Sequence, residues 1–531
     1  MQMRHHPVYA SRRSPVLADN VVATSQPLAT QAGIAMLMRG GNAVDAALAA
    51  AITLTVVEPT GNGLGSDAFC ILWDGHDLHG LNASGAAPMA WTPERFAGAA
   101  EMPFRGWDSV TVPGAVSAWA ELSRRFGALD FATLFEPALR HASDGFIVTP
   151  VIADLWRRGA NELSDQPGFA ETFLRDGRPP VAGERFVNAA LADSLRQIAE
   201  TTGRAFYEGP LAERIAAAAQ ENGGGLTMED LARHKPDWCG TLSMDFDDVA
   251  LHEIPPNGQG IAALMALGIL GHTPVREFGP DDAMALHYQI EATKLAFRDM
   301  DAYVADSPAM TEVTPEALLD AGYLASRAAE ISADSAQDFA SGAPKNGGTV
   351  YLSAADASGM MVSFIQSNYA GFGAGVAVPG TGIHMQNRGA GFTLTAGHPN
   401  RVAPGKRPFH TIIPGFLMKD GAPLMSFGVM GGPMQAQGHV QMTLRTQLWG
   451  QDVQTAADAP RWRVVEGLEV ALESAIEAQT VTRLRELGHE ITLETPDNAF
   501  GFGGAQLIQR LPGGGYGAGS DPRKDGQAAG F

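Results

Sequence analysis

Only two cysteines occur in 531 residues, Cys70 and Cys239. That is too few for a disulfide framework or a cysteine-based zinc site, and both are expected to be reduced, buried thiols. Basic charge is scarce as well: 37 Lys and Arg stand against 58 Asp and Glu, for a formal net charge of −21. Phosphate contacts need clustered cations, so this balance argues against a nucleic-acid partner. Long apolar runs are missing. The most apolar stretch, AALAAAITLTVV at 46–57, is too short to cross a bilayer and reads as a buried helix. The opening MQMRHHPVYASRRSPVLADN is basic but has no apolar core of the kind a secretory signal needs. The expectation is a cytoplasmic protein without a membrane partner. Internal repeats and long charge runs are also absent.

What is present is an ordinary globular composition, 45% apolar and 18% charged. The first two-thirds read mainly as helices. Two flank Gly40-Gly41, and a long amphipathic one spans 283–306. Thr92-Pro93-Glu94 and Thr314-Pro315-Glu316 place a capping hydroxyl before a proline, and Thr227 precedes Asp230 by three residues, a weaker relative of the capping box. The last third changes character. TVYLSAAD, MMVSFIQS, HTIIPGFLMKD, APLMSFGVM and AQLIQRL are short apolar or alternating runs bounded by turn residues, and read as strands. Some are apolar on both faces, which implies layers packed on either side. Between the two regions, ISADSAQDFASGAPKNGG at 331–348 has no periodicity. It is expected to be a flexible surface loop, either a linker or a processing site.

That loop ends in Gly347-Gly348-Thr349. Residues 342–349 resemble a phosphate loop, but the lysine is missing and a strand follows where a helix should. A second chemistry fits better. A threonine hydroxyl can attack the carbonyl before it, and the freed amine, with a pKa of about 7.7–8.0, can then serve as the base for that hydroxyl. Ala357-Ser358-Gly359 fits a three-residue hairpin turn, and counting outward sets Thr349 opposite Ser367. The pair could be a nucleophile with a second hydroxyl that positions it, or a Thr–Ser pair that only stabilises the sheet.

Ordered motifs along nearly the whole chain carry a resemblance. They run GGNAVDAALAAAITLTVVEP, GNGLGSDAF, TVPGAVSAW, LTMEDLARHKPDW, PPNGQG, EATKLAFRD, GTVYLSAADASG, GFGAGVAVPGTGI, PGKRPFHTIIP, GVMGGP and GAGSDPR. Together they resemble the γ-glutamyltransferase family of N-terminal nucleophile hydrolases. The resemblance implies an α+β fold, a four-layer αββα sandwich. It implies a zymogen that cuts itself between Gly348 and Thr349. Segments 1–348 and 349–531 would remain associated as large and small subunits of one intertwined domain. It implies an acyl-enzyme on Thr349 formed from a small-molecule amide, with water or an amine as acceptor and with no cofactor or metal. Ser367 matches the family's second hydroxyl, and Gly431 and Gly432 match its oxyanion-hole glycines. Thr411 falls where family hydroxyls contact the substrate carboxylate, and His410 replaces the neighbouring hydroxyl.

The sequence departs from the family where substrate is chosen. The arginine that grips the γ-glutamyl α-carboxylate is absent from Ser84-Gly85-Ala86-Ala87. Gly391 stands for the aspartate that holds the α-amine, and Tyr369 and Arg388 stand for an Asn and a Gln. Arg388 could supply a replacement cation for a carboxylate or be structural. The expectation is an amidohydrolase with a preference other than glutathione, near cephalosporin or glutaryl acylases and oxamate amidohydrolase. A non-catalytic binding relative is the competing class, given room by Val350 and Tyr351, where many relatives carry Thr-His.

Overall fold

The computed structural model describes residues 13–340, 348–495 and 501–531. Two seven-stranded antiparallel sheets dominate it. One orders its strands Gln527–Gly530, Val21–Thr24, Gly348–Ala355, Met361–Tyr369, Asp67–Trp73, Leu78–Asn82 and Asp237–Trp238. The other runs Val16–Ala18, Tyr516–Ser520, Gly504–Arg510, Ala422–Met430, Gly415–Lys419, Val249–Glu253 and Leu242–Phe246.

Side-chain alternation explains the layering, because successive residues of a strand face opposite sides. In the strand that begins at Gly348, Val350, Leu352 and Ala354 join a core with the helix Ala43–Val57. Its alternate residues Tyr351 and Ala355 join Phe416, Met430 and Ile508 of the other sheet in a separate core. A buried Ser353–Ser426 hydroxyl pair, 2.6 Å apart, also crosses between the sheets. On the far side Leu417, Phe427 and Leu507 pack on the helices Gly260–Leu270, Ala283–Tyr303 and Met434–Thr443. Helix, sheet, sheet, helix is therefore the order of layers, as expected. A three-stranded sheet of Trp462–Glu466, Glu469–Glu473 and Glu490–Glu494 flanks this body.

Local expectations are met with adjustments. The helix expected at 283–306 spans Ala283–Tyr303, and it is buried on most sides rather than on one stripe. Thr227 and Asp230 form a full reciprocal capping box. The run at 410–420 is strand only over Gly415–Lys419. Residues 331–340 form neither helix nor strand, yet they are tied down. Ser332 O accepts from His287 Nε2 at 2.8 Å, Gln337 N donates to Glu291 Oε2 at 3.0 Å, and Phe339 is buried beneath Arg298. The rest of that expected loop, 341–347, lies outside the described residues. Among the described residues no helix is long and apolar enough to cross a membrane. Cys70 and Cys239 are unpaired; Cys70 is buried and Cys239 partly so.

Candidate active site

The hairpin fixes the site's register. Asp356 N donates to Met360 O at 3.1 Å, Gly359 takes φ +97°, and Ala355 through Val350 pair in order with Met361 through Gln366. The next pairing is Gly348 with Tyr369, a shift of one. Ser367 and Asn368 therefore lie together opposite Thr349. This is a β-bulge, a device that re-aims side chains at the end of a ladder. Its outcome is visible in the contact: Thr349 Oγ1 and Ser367 Oγ are 3.0 Å apart and both residues are fully buried.

Ser367 is saturated. Its oxygen accepts from Tyr369 N at 2.8 Å and from Arg388 Nη2 at 2.6 Å. A hydroxyl has two lone pairs and one proton, so the proton is left for Gly348 O at 2.8 Å or for Thr349 Oγ1. Given to Gly348 O, that proton polarises the carbonyl that precedes Thr349.

Arg388 is 1% exposed. Its Nη1 donates to Thr411 Oγ1 at 2.7 Å, and its guanidinium lies 4.9 Å from the Tyr369 ring centre. Its Nε–H has no acceptor among the described residues. Burial lowers its pKa to about 10, which still leaves it a cation near neutral pH. Tyr369 holds the left-handed φ of +76°, a strained setting for an aromatic residue, and such strain gathers at functional sites. The ring also meets Phe104 edge-on at 6.0 Å.

His410 is placed against a residue that sequence reasoning missed. Its Nε2 is 3.0 Å from Asp67 Oδ2, with both side chains fully buried. Asp67 pairs directly with Ser367 across the sheet. Its other oxygen accepts from Gly114 N at 3.0 Å. Burial pushes Asp67 up to about 7, opposed by the field of Arg388. Burial also holds His410 well below its ordinary value, so it is a neutral imidazole.

Gly431 and Gly432 close the strand Ala422–Met430 with φ of +126° and +62°, values that favour glycine. Neither N–H has a partner among the described residues. Two further missed residues tie them to the site. Gln435, just beyond, points Nε2 at Thr349 Oγ1 at 3.5 Å and accepts from Ile413 N. Gln259 bridges Thr411 O and Gly432 O, at 2.5 and 2.8 Å. The signal for Asp67 and Gln259 was their place in GNGLGSDAF and PPNGQG; their partners follow only from the fold.

A cavity of about 480 Å³ opens beside this network, lined by Tyr369, Gly391, Phe392 and Phe409 among others. A side chain at Gly391 has no room, since its Cβ would lie 2.4 Å from Phe409 O. Gly85 is tighter still, with a Cβ only 1.5 Å from Val112 O.

A buried threonine at the start of a central strand, a partner hydroxyl, two unengaged glycine N–H groups and a four-layer sandwich define an amidohydrolase or acyltransferase of the N-terminal nucleophile type. The chain belongs to the gamma-glutamyltranspeptidase family, whose sequence profile matches residues 29–531. It is 38% identical over 535 residues to the oxamate amidohydrolase proenzyme of Klebsiella pneumoniae, covering 98% of this chain and 99% of the relative. It is 36% identical over 532 residues to the glutathione hydrolase-like YwrD proenzyme of Bacillus subtilis, covering 98% and 100%. Among solved structures it is similar to cephalosporin acylase from Bacillus halodurans. That match has a TM-score of 0.95 and 46% identity, over 100% of this chain and 99% of the other.

Proposed function

We propose that the chain is a zymogen that cleaves itself between Gly348 and Thr349, and that the processed enzyme hydrolyses amides of a short, anionic acyl group rather than glutathione. The observation that carries the first part is the Ser367 hydroxyl at 2.8 Å from Gly348 O and 3.0 Å from Thr349 Oγ1. Thr349 Oγ adds to the Gly348 carbonyl carbon. Charge grows on Gly348 O, where Ser367 donates, backed by the Arg388 cation. The C–N bond breaks, the proton moves to the departing Thr349 amine, and water hydrolyses the ester.

In the processed enzyme that amine is the base for Thr349 Oγ, and Gly431 and Gly432 supply N–H groups to the oxyanion. A missing donor of this kind typically lowers rate by about 10² to 10³. Thr411 and Tyr369 hold Arg388 in place, and His410 holds Asp67.

Support for the acyl reading comes from Arg388. It is a buried cation with an unused Nε–H, separated from the nucleophile by one hydroxyl, so the anion it receives lies close to the scissile carbonyl. The α-amine and α-carboxylate of a γ-glutamyl group lie farther out, where Gly391 and Gly85 leave no room for side chains to hold them. The relative named oxamate amidohydrolase points the same way. The test is a panel of oxalyl, glutaryl and γ-glutamyl amides on processed enzyme. Turnover of the first or second above the third supports the reading, and a preference for glutathione contradicts it.

A further inference from the structure

The cavity beside Tyr369 differs in chemistry from the network beneath it. Thr349, Ser367 and Arg388 are buried and do not line it, and Tyr369, which stacks on Arg388, is the residue that joins the two. Its walls are apolar at Met102, Phe104, Val304 and Phe392, with hydroxyl and amide groups interspersed. None of its described lining residues is Lys or Arg. His398 adds no charge in its neutral form, because Nε2 donates to Asp301 O at 2.9 Å and Nδ1 accepts from Asn400 N at 3.0 Å. Asp301 and Glu101 each contribute a carboxylate.

We infer that this cavity receives the amine half of the substrate, and that the amine it takes is neutral or cationic with an apolar body of about the size of an aromatic ring. The inference rests on the proposed placement of the acyl anion at Arg388. With that anion held close to Thr349, the roughly 480 Å³ beyond Tyr369 is left for the group on the other side of the scissile bond. That volume lies within the range of small-molecule sites, about 300–1,000 Å³. Traffic agrees with this direction. The Thr349 Oγ–carbonyl bond forms, the C–N bond breaks, and the amine takes the proton and leaves outward. Water then takes the place of the amine, attacks the ester, and frees the acid and Thr349. An acyl tail filling the cavity would bar that water. A carboxylate-bearing amine such as a peptide fragment would meet Asp301 with no cation to offset it, and like charges brought together disfavour a partner.

The experiment holds the acyl group constant and varies the amine. Oxalyl and glutaryl amides of benzylamine, glycine and ammonia are assayed on processed enzyme, and benzylamine and glycine binding are read separately by saturation-transfer NMR. The expected result, within whichever acyl series turns over, is a benzyl amide favoured over the glycine amide in kcat/KM by about 30-fold or more. Asp301→Lys should narrow that ratio by about 3- to 10-fold. Thr395→Trp, an exposed change at the cavity wall, should lower the benzyl-to-ammonia ratio. Both variants should still process, which reports an intact fold. Parity between glycine and benzyl amides, or an unmoved ratio in both variants, overturns the inference and leaves the acyl reading standing. Benzylamine binding that Thr395→Trp abolishes, with no amide of either acid cleaved, supports the cavity assignment and sinks the acyl reading instead.

Discussion

Two regions meet at Tyr369 and are built in different ways. The proposed reacting centre, Gly348, Thr349, Ser367, Gly431 and Gly432, is held by backbone register: a hairpin, a bulge and a strand followed by two glycines. The proposed recognition wall, Tyr369, Arg388, Gly391 and the segment 84–87, is made of side chains and of places where side chains do not fit. Register survives a change of side chain, so one chemistry can be kept while its substrate changes. On the proposed reading, the first region keeps the family's chemistry and the second changes its substrate.

The sharpest break of this contrast is Thr349→Ala, which removes the nucleophile and, by leaving the preceding bond uncut, keeps the amine base from being freed. It should leave one full-length chain and lower amide turnover by at least about 10⁴-fold, as loss of a nucleophile does elsewhere. Ser367→Ala strikes both the scissile carbonyl and the nucleophile. Processing followed on a gel should slow by about 10² to 10³, the size of a lost oxyanion donor. Equal processing in the variant would reduce Ser367 to a sheet-stabilising hydroxyl.

Arg388→Gln tests the wall. Loss of charge-assisted contacts should lower kcat/KM for anionic acyl amides by about 10²-fold, mostly through KM. Amides of a neutral acyl group should change little. An equal loss for both would make Arg388 a structural arginine.

The smallest effect concerns Asp67. Its folded pKa of about 7 lies above the usual carboxylate value, so the folded state binds the proton more tightly than the unfolded chain. Its contribution to stability is therefore full at low pH and is lost as pH rises from about 4 to about 7. Asp67→Asn should flatten part of the fall in Tm over that window. An unchanged slope would mean that Asp67 ionises normally.

The sequence read the first region better than the second for physical reasons. The period-2 alternation and the Ala357-Ser358-Gly359 turn were enough to set Thr349 against Ser367, because a hairpin's turn determines its register. The extra residue of the bulge left no signal in the pattern. Nor could Asp67 be placed, 300 positions from Ser367 in the chain and its neighbour only once the Asp67–Trp73 strand pairs. Burial hid the character of Arg388 and His410: the sequence shows two basic residues, the fold shows one buried cation and one neutral ring. The 331–340 run was legible as irregular but not as anchored, since Ser332 and Gln337 are held by His287 and Glu291 of a distant helix.

The central claim is that Gly348–Thr349 is a bond the protein itself breaks to expose its nucleophile. Intact-mass and N-terminal sequencing of the purified protein, alongside Thr349→Ala, test it most directly. The account predicts two fragments in the parent, the smaller beginning Thr-Val-Tyr-Leu-Ser, and one unbroken chain in the variant. A parent chain that stays whole on long incubation, or a cut at any other bond, would contradict it.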